Sequence, residues 1–434
     1  MDIKSIIRKK RASEELTKDE VYYFVGKLQK GEISEAQASA LMSYIYINGL
    51  TEDEILDLSI AMAESGDMID LTDIAENIVD KHSTGGIGDK VTILLMPILA
   101  ALNIPVAKIS SRGYGVSGGT IDKLESLPGF QTDLSIEQFK QNIKNTGVCI
   151  MNQGLSFAPA EGKMYKLRND IACENSLPII TASLMSLKIA TGSNKIVFDI
   201  TCGRGTYISN REEAKRLSKL LVRIGKRLGK EVACVITNMN QPIGYSVGHN
   251  LEMKETINAL KGIISEDLQN VVETIGSIMI FLATGNKNLE ENSKMIKNVI
   301  KSGAAFRKFK EMVAAQGGNM EYVDNPELFK ESELVIPVLS TEEGTIESID
   351  ADMVGSIAYY LGAGRMRNEG SINRTAGIVL NKKIGDKVTV GETLAYIHTD
   401  EEEKIAGTTH NLKDAFSITN KKTNFKSRVL EIIK

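Results

Sequence analysis

The chain has 434 residues, which suggests about three domains at roughly 150 residues each. Its apolar fraction is 42% and its charged fraction 25%, values that exclude low-complexity and fibrous classes and allow a core without disulfide or metal staples. Lys plus Arg is 52 against 56 for Asp plus Glu, a net charge of −4, which argues against a chain whose main work is gripping nucleic acid.

The first ~65 residues read as helices. Thr17-x-x-Glu20, Ser34-x-x-Gln37 and Thr51-x-x-Glu54 are capping boxes, each followed by apolar residues at helical spacing, and Gly31, Gly49 and Gly66 stand where C-caps are expected. The pattern then alternates. Ile78-Val79 is a strand signal followed by a Gly-rich loop and an apolar helix, 91–102. Val106-Ala107-Lys108-Ile109 is a second strand, followed by a second Gly-rich loop and a helix from about Ile121. Further strands are expected at 148–151, 195–200 and 232–237, with helices between them, which is the signature of a mostly parallel α/β sheet. From about Leu334 the chain reads as a C-terminal α+β region with strands at 334–338, 377–380 and 394–398. Residues 376–392 look like a small twisted β module, and the Lys382-Lys383 pair within it is read as a solvated turn.

The four cysteines (Cys149, Cys173, Cys202, Cys234) have no metal-ligand spacing and read as buried thiols in a reducing compartment. The four histidines (His82, His249, His398, His410) are scattered, so no zinc site is expected. The N-terminal residues are charged and lack the apolar core of a signal peptide. The most apolar stretch, 91–107, is shorter than the roughly 20 residues of a membrane span. A cytoplasmic protein without membrane or nucleic-acid partners is the expectation.

Two loops carry the chemistry. The first runs Asp80-Lys81-His82-Ser83-Thr84-Gly85-Gly86-Ile87-Gly88-Asp89-Lys90-Val91-Thr92. Glycines let backbone approach an anion, the N–H groups of the following helix point at it, and Lys81, Ser83 and Thr92 add donors. It is not a Walker A loop, since Val91 follows Lys90. The second, from Lys108, Ser110, Ser111, Arg112 and Gly113 to Gly118, Gly119, Thr120, Asp122 and Glu125, repeats the strand–loop–helix design. Adjacent strands would set the two loops side by side around one anion. Residues 113–118 also match G-x-G-x-x-G, but Asp133 begins a polar helix instead of ending a strand, which disfavours a dinucleotide site.

Together these loops resemble those of the thymidine phosphorylase and pyrimidine-nucleoside phosphorylase family. The likeness continues through Ala158-Pro159-Ala160, Tyr165-x-Leu167-Arg168, Asn240-Gln-Pro-Ile-Gly244, Ala314-Ala-Gln-Gly-Gly318 and Leu361-Gly-Ala-Gly-Arg365, over nearly the whole chain. The resemblance implies phosphorolysis of a pyrimidine nucleoside to free base and (2-deoxy)ribose 1-phosphate by a pentosyltransferase. It implies inorganic phosphate as co-substrate, held by Lys81, Ser83, Thr92, Lys108, Ser110 and Thr120. It implies a base held by His82, Tyr165, Arg168 and Ser183, with His82, Arg168 and Lys81 as the catalytic groups. No organic cofactor is implied. A monovalent cation such as K+ is, on the carbonyls of Gly88, Lys90, Ile243 and Ser246 and the Glu255 carboxylate. The implied architecture is a helical domain (1–65 with 163–193), an α/β domain (66–162 with 194–333) and a C-terminal α+β domain (334–434), paired as a homodimer, with the active site in the interdomain cleft.

The sequence also departs from that family. Its base-contacting lysine falls at Leu187, and helix geometry turns the neighbouring Lys188 roughly 100° away. Arg168 is followed by Asn169-Asp170-Ile171, and the usual Asp-Val-Lys-x-Gly-x-Gly-Ala-Phe is Asp199-Ile-Thr201-Cys202-Gly203-Arg204-Gly205-Thr206-Tyr207. Three readings stand beside each other: drift with ordinary pyrimidine nucleosides still accepted, a paralogue acting on a different or modified base, and a phosphate- or nucleotide-binding paralogue without turnover. Each residue also has a bland role: His82 as a loop cap, Lys81 as a solvated charge, Arg168 paired with Asp170 on a helix surface, Cys202 as a small packing residue.

Overall fold

A computed structural model describes residues 1–113, 118–154, 156–365, 371–421, 423 and 427–434. The chain opens with α1 (Ile3–Arg11), α2 (Lys18–Lys30), α3 (Glu35–Asn48) and α4 (Glu52–Ala63). All three capping boxes form, each satisfying helix-start amides that have no partner inside the helix. Gly31 and Gly49 end α2 and α3 with φ of 72° and 73°. Gly66 does not cap α4, whose C-cap is Glu64. Gly66 is there for closeness: a Cβ would lie 2.0 Å from the Ser156 carbonyl oxygen and 2.4 Å from Pro159 Cδ.

The α/β part follows as β1 (Val79–Ser83), α5 (Val91–Ala101), β2 (Val106–Ser110), α6 (Thr120–Leu124), α7 (Ile136–Thr146), β3 (Val148–Asn152), α8 (Pro159–Asp170), α9 (Leu177–Ala190), β4 (Lys195–Cys202), α10 (Arg211–Arg227) and β5 (Glu231–Asn238). Then come β6 (Ser246–Val247), α11 (His249–Leu260), α12 (Glu266–Thr284), α13 (Leu289–Lys301), α14 (Ala304–Ala315) and α15 (Met320–Asp324). The C-terminal region holds β7 (Leu334–Leu339), β8 (Gly344–Ile349), α16 (Ala351–Ala358), β9 (Gly377–Leu380), β10 (Lys387–Val388), β11 (Thr393–Thr399), α17 (Ile405–Asp414), β12 (Phe416–Thr419) and β13 (Val429–Ile433).

The central sheet has the order β13-β5-β4-β1-β2-β3. β1 to β5 pair in parallel, so the α/β class with a mostly parallel sheet holds, and β13 runs antiparallel, on β5. Alternation along each strand serves two cores. Val197, Ala233 and Val235 face α12, in a core that α5 and α14 also line, while Ile196, Phe198, Ile200, Cys234 and Ile236 face α10, in a core shared with the helical bundle. α8 and α9 share that second core with α1 to α4 through Met164, Ile179 and Met185. Two strands cross the expected boundaries. β13 leaves the 334–434 region to join the central sheet, and β6, inside 194–333, pairs with β9 in the four-stranded sheet β6-β9-β11-β7. The module expected near 376–392 is divided between this sheet and the three-stranded β10-β8-β12. Among the described residues no single helix is long and apolar enough to cross a membrane. The four cysteines are free and buried.

Candidate active site

The parallel order places the loops after β1, β2 and β4 next to one another, with Val79 opposite Val106 and Ser83 opposite Asp199. Alternation along β1 sends Asp80 and His82 to one face and Lys81 and Ser83 to the other.

Lys81 is buried, not solvated. Its Nζ lies 3.2 Å from Asp199 Oδ2 and 3.6 Å from Asp89 Oδ2, without a well-directed hydrogen bond. Burial alone favours the neutral amine, but Asp89 and Asp199 outweigh it and hold the ammonium above its ordinary range. Asp89 titrates at about 2: burial opposes its charge, and Lys81 and Lys123 overcome that. Asp199 keeps a raised pKa because burial exceeds the pull of Lys81. Ser83 accepts from the Gly85 amide at 3.2 Å.

On the other face, Asp80 binds three groups. Lys108 Nζ is 3.3 Å from Oδ1, Ser193 Oγ is 3.2 Å from Oδ2, and Lys188 Nζ donates to Oδ2. Lys108 also donates to the Lys81 carbonyl at 2.7 Å. Burial lowers its pKa to about 7, against the pull of Asp80 and with help from Lys188 and Lys81. His82, whose ring centroid is 6.1 Å from that of Phe198, is half-buried, with its Nδ1 out of solvent and unpartnered. Burial, then Lys188, Lys108 and Lys81, push its pKa well below the ordinary value, so the ring is neutral near pH 7.

Ser110 ends β2 half-buried, and Thr92 and Thr120 lie in the first turns of α5 and α6. The amides of the first loop are not all open, as the sequence suggested. Thr84 N–H donates to the Asp199 carbonyl of β4, Gly85 N–H to Ser83 Oγ and Val91 N–H to Asp89 Oδ1, so the neighbouring strand and the loop's own Ser83 and Asp89 cap it. In the second loop Asp122 accepts from the Gly113 amide at 2.7 Å, and a Cβ on Gly119 would lie 2.1 Å from that nitrogen. Residues 114–117, the middle of the G-x-G-x-x-G match, lie outside the described residues.

The base-side residues gather on α8 and α9. Arg168 is 7% exposed, its guanidinium carbon 4.6 Å from the Tyr165 ring centroid, and its Nε and Nη1 have no hydrogen-bond partner. It is not in a surface pair with Asp170. Burial, then Tyr207, raises the Tyr165 pKa. Ser183 Oγ donates to Glu161 Oε1 at 2.5 Å. Burial raises the Glu161 pKa against the pull of Ser183 and Arg168. Glu161 was not singled out from the sequence, and neither were Asp80, Asp89 and Asp199. The available signal was physical: a lysine expected to be buried needs a buried acid. Lys188 does turn away from the Ser183 face, as helix geometry requires, but onto Asp80 and not into solvent. Leu187 packs beside the apolar cluster of Ile69, Leu71 and Phe139. Thr201 stitches β4 to the first loop, its Oγ1 3.0 Å from Thr84 Oγ1 and donating to the Gly85 carbonyl.

The implied cation does not fit. Ile243, Ser246 and Glu255 do converge, but on the side chain of Lys90. Its Nζ lies 3.1 Å from Ile243 O, 3.2 Å from Ser246 O and 2.7 Å from Glu255 Oε2, where the ion would have to be. Lys383, expected in a solvated turn, is buried nearby and donates to the Pro242 and Gly244 carbonyls at 2.7 and 2.6 Å. An open groove of about 730 Å3 lies outside these groups, lined by Ser246, Glu255, Tyr396 and His398, and does not touch Lys81, His82 or Arg168.

A helical bundle beside a parallel α/β sheet, with lysines under the loops at the strand ends, is the layout of a glycosyl-transfer enzyme. Residues 4–66 match the helical bundle domain of the glycosyl transferase family, and 75–306 match that family's a/b domain. Anthranilate phosphoribosyltransferase from Thermus thermophilus shares the fold, with a TM-score of 0.60 and 18% identity over 72% of this chain and 99% of that one. Residues 345–419 match the pyrimidine nucleoside phosphorylase C-terminal domain. Pyrimidine-nucleoside phosphorylase of Geobacillus stearothermophilus is 41% identical over 403 residues, 93% of each chain. That of Staphylococcus aureus (strain USA300) is 42% identical over 398 residues, 92% of each chain. The chain belongs to the pyrimidine-nucleoside phosphorylase family.

Proposed function

We propose that this protein cleaves a pyrimidine nucleoside with inorganic phosphate, releasing the base and a pentose 1-phosphate. The observation that carries the reading is Arg168, a buried guanidinium with unpaired N–H groups on the helical side of the site. Such groups are costly unless a ligand completes them. Phosphate sits over the strand ends, held by Lys81, Lys108, Ser83, Ser110, Thr92 and Thr120. A phosphate oxygen forms a bond to the anomeric carbon as the glycosidic C–N bond breaks, and the electron pair leaves on the base. Arg168 stabilises the charge developing on the base carbonyls, with Tyr165 and Ser183 fixing the ring. His82, being neutral, contributes a hydrogen bond and no charge. The chain supplies orientation and electrostatic complementarity, with no covalent enzyme intermediate. The helical unit (1–65 with 163–193) and the α/β unit (66–162 with 194–333) form the two sides of a cleft that closes to keep water from competing with phosphate. A cytoplasmic homodimer is the working assembly.

A second reading concerns the base. Leu187 is engaged with apolar neighbours and Thr201 with the first loop, while Glu161 stands between Ser183 and Arg168. These favour a base whose polar edge differs from that of uracil or thymine. Phosphate-dependent base release, measured over a panel of uridine, thymidine, deoxyuridine, cytidine and modified pyrimidine nucleosides, tests both readings. Turnover of uridine or thymidine supports the first, and turnover of another base alone supports the second. Phosphate binding without release from any nucleoside identifies a paralogue that only binds.

A further inference from the structure

We infer that Lys90 is a tethered cation: its ammonium replaces a free monovalent ion at the joint between the first anion loop and the C-terminal region, so the protein needs no such ion. Lys90 is the N-cap of α5 and is fully buried. Its side chain turns back from the loop onto the carbonyls of Ile243 and Ser246 and the Glu255 carboxylate. Backbone carbonyls with a nearby carboxylate are the donor set that replaces the hydration shell of a large monovalent cation. An ammonium is of similar size and charge, and it brings its own three donors. Here those donors meet three acceptors.

The surroundings are built for this occupant. Glu255 is oriented by the amides of Tyr245 and Ser246, each 2.8 Å from one of its oxygens. Gly88, at φ +75°, lets the loop approach: a Cβ there would lie 2.8 Å from Ile243 O and 3.0 Å from Ser246 O. The Lys90 carbonyl, one of the implied ion ligands, accepts from the Leu94 amide as α5 begins. A second cation beside Nζ would face an equal charge and would have to share Glu255 with it. The occupied station joins three parts. Lys90 belongs to the loop that positions Asp89 against Lys81, Glu255 belongs to α11, and Ser246 lies on β6, which pairs with β9. Lys90 is therefore a positioning residue, acting on the phosphate side through Asp89.

The test is the cation dependence of thermal melting and of base release, for the parent and for Lys90→Ser. KCl is compared with tetramethylammonium chloride at equal ionic strength. The parent should melt and turn over alike in both. Lys90→Ser removes the ammonium, leaves the acceptors and adds a hydroxyl, and the groove beside Ser246 and Glu255 gives ions a route in. Its melting temperature should rise by about 3 °C or more in KCl, and its turnover by about tenfold. Lys90→Met, with an apolar chain in the same space, should respond to neither salt. Crystals of the parent soaked in thallium(I) should show no anomalous peak between Ile243, Ser246 and Glu255, and those of Lys90→Ser should show one. A parent that is stabilised or activated by K+, or that holds thallium there, overturns the inference. So does a folded Lys90→Ser that ignores K+. If Lys90→Ser does not fold, the parent's salt comparison and thallium map decide alone. Melting and anomalous scattering need no nucleoside, so they stand whatever base the enzyme takes.

Discussion

Arg168→Met separates a group kept for ligand from one kept for the fold. In the free protein Arg168 is buried with Nε and Nη1 unpartnered, so its removal relieves a desolvation cost of about 1–3 kcal/mol. Against that, the substitution loses the stacking on Tyr165, worth about 0.5–2 kcal/mol, and some attraction to Glu161. Methionine is unbranched and fills much of the same space. The two sides nearly cancel, so the melting temperature should stay within about 3 °C of the parent. Catalysis should not be spared. A preorganised donor aimed at developing charge typically contributes about 10²–10³ in kcat, and kcat/KM for the nucleoside should fall by that factor. The KM for phosphate should change little, because Arg168 lies on the helical side. The assay is ultraviolet-monitored base release at saturating phosphate, with calorimetry on the same samples. A variant that keeps nucleoside turnover within about threefold refutes the assignment. So does one that melts more than about 10 °C lower, which would make Arg168 a structural strut.

Lys81→Ala leaves Asp89 and Asp199 facing each other without their cation, so the phosphate KM should rise more than about tenfold and stability should fall by about 3–5 kcal/mol. Phosphate saturation curves and urea melts check this, and an unchanged phosphate dependence contradicts it. Lys108 is an ammonium below about pH 7 and increasingly a neutral amine above it, so kcat/KM for phosphate should decline as pH rises past 7. Lys108→Arg keeps its charge and should abolish that decline, and identical pH profiles for the two proteins would rule Lys108 out. Gly66→Ala forces a methyl against the Ser156 carbonyl and Pro159 and should cost about 1–3 kcal/mol in a urea melt, with kcat of the folded fraction unchanged. Equal stability would mean that the 66–159 contact yields freely.

What the sequence disclosed of the fold was whatever has a local signal. The capping boxes at Thr17, Ser34 and Thr51 are complete within four residues, and β1 to β5 announce themselves as short apolar runs between Gly-rich loops. β6 carried no such signal, and β13, although Val429, Leu430, Ile432 and Ile433 form an apolar run, carried none of where it would pair. β6 is two residues long, too short for any period, and becomes a strand only because β9 lies beside it. β13 is an edge strand with every residue half-buried, and its partner β5 is remote in sequence. Gly66 was misread for a related reason. A C-cap glycine and a close-approach glycine look the same until the Ser156 carbonyl is in place.

The site divides along the same line. Glycines, lysines and hydroxyls clustered in two loops are visible as a pattern, because anion chemistry needs them near one another in the chain. Their counter-charges obey no spacing rule. Asp199 meets Lys81 from β4, Asp80 meets Lys188 of α9, and Glu255 meets Lys90 from α11. A buried lysine states only that some acid or carbonyl must be close, and tertiary structure chooses which. This is why Lys188 and Lys383 read as bystanders and became buried anchors, and why Lys90 read as one more carbonyl around an ion. In each case the backbone position was legible and the destination of a four-carbon side chain was not. The charge at the end of that side chain decides whether the loop it leaves is held by a solute from the buffer or by the chain itself.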